Sequence, residues 1–162
     1  MSDPFPPQSA APTTPGLLER FVARLLDGLI VGIPTGLVMS IVLGIAGLGD
    51  EAISLVLVSA VVGVAQLAYF LHFESTTGQT IGKRVMSLRT VDAAGGVPSQ
   101  QQALRRNVWL ALSIFSGIPV LGFLTGLGSL AAVVAIAVTI NSSPLGRGWH
   151  DNLAGTAVVR AS

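Results

Sequence analysis

Apolar residues fall in long runs along this chain, and polar residues gather between the runs. Leu25–Gly47 has Asp27 as its only charge, and Ile53–Phe73 has Gln66 and His72 as its polar exceptions. Val108–Ile140 carries no charge over 33 residues. A membrane-crossing helix needs about 20 apolar residues, so the first two runs predict one span each. The third is too long for one comfortable pass and is punctuated in its middle by "GIPVLGFLTGLG". It predicts two short spans, about 106–121 and 124–140, or one long tilted helix with a kink. The segments "VMSLRTV" and "TAVVR" alternate as short strands do and could pair as a ribbon over the helix ends, with "DAAGGVPS" as a turn.

Basic residues choose between the alternatives. Short cytoplasmic loops collect Lys and Arg. Arg20 and Arg24 precede the first run, five more lie between Lys83 and Arg106, and Arg147 and Arg160 follow the last. With four spans all nine fall on one side; with three, the last two are stranded outside. The expected fold is therefore an all-α membrane protein, a small bundle of four (alternatively three) transmembrane helices with a short cytoplasmic β-ribbon cap. Both termini would be cytoplasmic and the location the cell (inner) membrane. Phe21, Tyr69, Phe73, Trp109 and Trp149 would lie near the same interface, where aromatic rings are favoured.

Composition agrees with a lipid-embedded chain. Of 162 residues, 51% are hydrophobic and 10% charged, against roughly 25% charged in soluble domains, and mean hydropathy is +0.72. A net charge of +1 argues against nucleic acid as a partner, and the lack of cysteine removes thiolate chemistry. Residues 1–16, "MSDPFPPQSAAPTTPG", read as a disordered proline-rich tail, followed by a first span that is retained because no signal-peptide pattern precedes it.

Candidate chemistry begins in "RFVARLLDGLIVGIPTG". Arg20, Arg24 and Asp27 share one helical face, and Gly28, Gly32 and Gly36 extend it as a small-residue stripe suited to close helix packing or subunit contact. A carboxylate at membrane depth must be paired, protonated or facing water. Arg24, one turn away, is the local partner for Asp27; Lys83, Arg84 and Arg106 are alternatives. Asp27 either belongs to a structural network or binds a cation or proton in transport. The loop Gly78–Arg84 resembles a phosphate-binding loop only in part. Three residues rather than four separate Gly78 from Gly82, and Arg84 follows Lys83 where Ser or Thr is needed, so nucleotide is not an expected ligand. Gly82 would allow a close backbone approach, while Lys83 and Arg84 could meet lipid phosphates or Asp151. His150 would make a structural hydrogen bond or serve as a proton relay. A metal site would need more ligands than the spare His72 and Glu74. No nucleophile elbow is present, and neither enzyme activity nor a cofactor is expected.

Four elements in order then resemble a known family: the Arg-x-x-Ala-x-x-x-Asp pattern of "RFVARLLDGLI", the Gly-x-Thr-x-Gly-Lys of "GQTIGKRVMSLRTVDAAGGVPS", the arginines of "ALRRNVW", and "GRGWHDNLAGTAVV". Over about residues 17 to 160 the chain resembles the RDD family of bacterial multi-pass membrane proteins, named for one arginine and two aspartates. The resemblance implies Arg20, Asp27 and Asp151 as those residues, and transport of an unidentified solute or ion as the activity. It leaves open an accessory or scaffold protein whose polar network is structural. Four short spans enclose little volume, so a transport path implies a homo-oligomer or a membrane partner protein besides the lipid bilayer.

Overall fold

The computed structural model describes residues 14–161. The first 13 residues of the expected proline-rich tail lie outside the described residues. Among the described residues, three helices are long and apolar enough to cross a membrane: α1 (Leu17–Ile45), α2 (Glu51–Thr76) and α5 (Leu121–Ser142). At 1.5 Å per residue the shortest is about 33 Å long, enough for a hydrocarbon core of roughly 30 Å. Large apolar side chains are exposed along most of α1 and α5 and over the first half of α2, as lipid contact requires. The chain is a membrane protein, mostly helical, with one small two-stranded sheet.

Local signals start the helices. Asp50 caps α2 by accepting from the Ala52 and Ile53 amides. Thr80 caps the short α3 (Ile81–Val85) through the Lys83 amide. Ser99 and Gln102 form a reciprocal capping box on α4 (Gln100–Asn107). α6 (Trp149–Ala154) begins with the Asp151 carboxylate accepting from the Gly148 amide.

The sequence-based span at 106–121 takes a different form. Residues Val108–Phe115 are a 3₁₀ helix continuing α4, and a turn through 116–120 separates it from α5. This segment lies along α2. Asn107 bonds Glu74 near one end of α2, Ile114 meets Gly63 midway, and Gly117 meets Leu55 near the other end. The physical reason is length: a 3₁₀ helix rises about 2 Å per residue against 1.5 for an α-helix, so fewer residues follow α2 for most of its course. Gly63 permits this, because a Cβ there would overlap the Ile114 backbone.

Strands β1 (Leu88–Asp92) and β2 (Thr156–Arg160) pair antiparallel, Leu88 opposite Arg160 and Asp92 opposite Thr156. They are distant in sequence, so "DAAGGVPS" does not join them. It turns the chain from β1 into α4, with the Asp92 carboxylate accepting from the Ala94 and Gly96 amides. Leu88 and Val158 on the inner face pack with Ala23 of α1, which fixes the sheet against the polar end of that helix.

Candidate functional site

The glycine stripe is not the tight seam its spacing suggests. A Cβ on Gly28 would meet nothing within 4 Å, and those on Gly32 and Gly36 would make ordinary contact with Gln66 and Val62 of α2. Close approach falls at Gly82 instead, where a Cβ would strike the Ala23 carbonyl and the Asp27 carboxyl carbon. α3 can rest on α1 only because residue 82 has no side chain.

That contact delivers donors to Asp27. Its Oδ1 accepts from the Tyr69 hydroxyl and the Gly82 amide, both at 2.7 Å, and its Oδ2 accepts from the Thr80 hydroxyl at 2.6 Å. The Tyr69 oxygen in turn accepts from the Ile81 amide at 2.9 Å. Asp27, 1% exposed, is thus held by neutral donors, and the expected Arg24 partner is turned elsewhere. The Arg24 guanidinium stacks 3.6 Å from the Phe70 ring centroid and 5.0 Å from that of Trp109, and donates to Asn107 Oδ1 at 3.3 Å. Aromatic faces and a side-chain amide outcompete the nearby carboxylate because the Gly82 amide and two hydroxyls already fill Asp27.

Glu74 at the end of α2 is the second centre. Lys83 Nζ donates to its Oε1, Arg106 Nε lies 3.4 Å from the same oxygen, and Asn107 Nδ2 donates to Oε2 at 2.7 Å. Lys83 also donates to the Thr90 hydroxyl at 2.7 Å. Lys83 therefore pairs with Glu74 and not with Asp151, while Arg84 beside it is exposed. Burial pushes the Lys83 ammonium down to about 8; Glu74 opposes that shift, and Arg106 and Arg24 add to it.

Asp151 is the third centre. Arg106 Nη1 donates to its Oδ1 and, at 3.1 Å, to the Thr156 hydroxyl. Arg20 Nη1 donates to Oδ2 at 3.4 Å, and Arg20 Nη2 to the Val158 carbonyl at 3.3 Å. Arg106 joins the second and third centres, and burial lowers its pKa despite Glu74. His150 Nε2 lies 3.7 Å from Asp151 Oδ1. Burial and then the cations Arg106, Arg24, Lys83 and Arg20 hold the His150 pKa far below the usual imidazole range, so the ring is neutral. Gly78 has φ +70, and its carbonyl accepts from the Thr90 amide at 2.7 Å, tying the loop to β1.

The structure thus gathers Arg20, Arg24, Asp27, Thr80, Gly82, Lys83, Arg106, His150 and Asp151 at one end of the helices. It leaves Arg84 and the glycine stripe outside. Sequence reasoning missed Asn107, Thr90, Thr156 and the Tyr69 hydroxyl, and considered Glu74 only as a spare metal ligand. The signal for Glu74 was present: a carboxylate closing a long apolar run must find a cation.

A cavity of about 340 Å³ opens beside the network. Arg20, Arg24, Asp27, Glu74, Lys83, Arg106, Asn107 and His150 are its polar lining residues, and most of its surface is apolar, much of it from α1 and α5. Three atoms of residues that line it, Arg20 Nε, Arg24 Nη2 and His150 Nδ1, are buried without a hydrogen-bond partner.

Membrane-crossing helices sealed at one end by buried ion pairs and a two-stranded sheet define a multi-pass membrane protein with a polar centre at a helix end. The model of the RDD family matches residues 14–155. The chain belongs to that family. No curated protein and no solved structure matches it.

Proposed function

We propose that this chain is a non-enzymatic transporter or ion exchanger of the cell membrane, with the cavity at the polar end of its helices as the solute site. The observation that carries the reading is the set of buried charged residues lining that mostly apolar cavity, among which Arg20 Nε and Arg24 Nη2 remain unpartnered. A charged donor buried without a partner is costly, and a solute that supplies acceptors relieves that cost.

Four crossings fit this reading best, the fourth being the stretch 107–117, the 3₁₀ segment with its flanking residues, which follows α2 from Glu74 to Leu55. The polar network, the sheet as its cap and both termini then share the cytoplasmic side, where positive residues collect. Residues 17–160 act as one domain, working as a homo-oligomer or beside a membrane partner protein.

The test is flux in proteoliposomes with sodium, potassium, proton and anion gradients imposed in turn, wild type beside Asp27→Asn and Arg24→Gln. Flux in wild type that is lost in a folded variant supports transport through this site. Equal flux in both variants removes it.

A second reading, an accessory or scaffold protein, is favoured by Asp27, whose two oxygens are already occupied within the chain. Under it no gradient is dissipated, and Asp27→Asn simply melts earlier.

A further inference from the structure

We propose that the cavity between α1 and α5 takes the phosphodiester headgroup of an anionic phospholipid, with an acyl chain lying against the walls formed by the two helices. The inference rests on the reading of this cavity as the ligand site and names the class of ligand.

Charge sets the sign of the occupant. Four cations, Arg20, Arg24, Lys83 and Arg106, share the network with three carboxylates, Asp27, Glu74 and Asp151, leaving one positive charge unmatched. The side chain of Arg20 is 10% exposed, yet its Nε has no partner, and neither has Arg24 Nη2. Arg24 is held in place by Phe70, Trp109 and Asn107, so its guanidinium is preorganised at the cavity lining. The two non-ester oxygens of a phosphodiester offer one acceptor to each arginine and a single charge to the set.

The walls set its source. They are Leu17 and Phe21 of α1 with Val133, Ile136, Ala137 and Ile140 of α5. Both helices are long and apolar enough to cross the bilayer, and Leu17 and Phe21 are among the exposed apolar residues. A molecule arriving through such a mouth comes from hydrocarbon. Arg20 and Arg24 lie in the first turns of α1, at the depth of the lipid phosphates, and basic pockets between membrane helices are suited to anionic headgroups.

The experiment uses the full chain in neutral detergent, with native mass spectrometry and thermal melting as readouts. The probes are dioleoyl phosphatidylglycerol, dioleoyl phosphatidylcholine and inorganic phosphate. Phosphatidylglycerol is expected to bind and raise the melting temperature, phosphatidylcholine and phosphate to do neither. Arg24→Gln should weaken phosphatidylglycerol roughly ten- to hundredfold. Ala137→Phe, which fills the apolar wall and leaves every ion pair in place, should block it even if Arg24→Gln fails to fold. Equal binding of phosphatidylcholine, a full shift with phosphate alone, or undiminished binding by Ala137→Phe overturns the inference. Phosphatidylglycerol binding without solute flux removes transport and leaves the lipid site standing. Flux in phosphatidylcholine vesicles without phosphatidylglycerol binding does the reverse.

Discussion

Asp27 and Gly82, 55 residues apart, are joined by a 2.7 Å hydrogen bond from the Gly82 amide to the Asp27 carboxylate. The bond exists because residue 82 has no Cβ to strike the Ala23 carbonyl. Gly82→Ala must therefore lift α3 from α1 and break that bond. The expected loss is about 3 kcal/mol, the upper part of the range for overpacking, read as an earlier melt in detergent. An unchanged melting temperature would show that the two elements do not touch.

Asp27→Asn keeps the shape and removes the charge. Its amide nitrogen would oppose a group that now donates, and the remaining bonds would lose their charge-assisted strength. Stability should fall by about 2 kcal/mol, measured by thermal melting, with Asp27→Ala falling further. An Asn variant as stable as wild type would mean that the carboxylate is dispensable.

Glu74 and Lys83 form a pair that should be tested together. Removing one partner strands the other in the interior, so Glu74→Gln and Lys83→Met should each cost about 3–5 kcal/mol. The double variant should cost less than the two losses added, with a coupling of about 0.5–3 kcal/mol. Simple additivity in the melting data would show that the ion pair does not form.

The neutral His150 ring makes the fold acid-sensitive. Its pKa in the folded chain lies below the unfolded value of 6.5, so below that pH the unfolded state binds the additional proton. Stability contributed by keeping the ring neutral is complete above 6.5 and declines as pH falls below it. Melting between pH 7.5 and 5 should show wild type losing stability relative to His150→Asn. Parallel curves would place His150 in contact with water.

Much of the fold is legible in the sequence because lipid imposes a simple demand: the long uncharged runs have to become α1, α2 and α5. Two candidate strands, "VMSLRTV" and "TAVVR", are also visible from alternation, and the ladder that forms takes 88–92 and 156–160. The 3₁₀ segment is not, because Val108–Ile140 is apolar on every face and offers no periodicity to distinguish one helix type from another. Of the site, the residue set is more legible than its partnerships. Arg24 lies one turn from Asp27 on the same helix, and proximity in sequence points to a pair. The pairing is decided instead by α3, which reaches Asp27 first, and by Phe70 and Trp109, which hold the guanidinium. Thr80 shows why short motifs are hard to assign: its one hydroxyl both starts α3 and binds Asp27, and no spacing rule reveals the second task.

Arg20, near the start of the described chain, bonds Asp151 and Val158, 131 and 138 residues later, and Glu19 pairs with Arg160. The two ends are thus clasped, which sets an order of biosynthesis. When α1 leaves the ribosome, Arg20 has neither of these partners, and it must wait at the bilayer surface in the company of water and lipid headgroups. Only when β2 emerges can the polar end close. A chain halted before residue 151 would thus keep its apolar helices and the Arg24 contacts with Phe70, Asn107 and Trp109, but leave Arg20 unclasped.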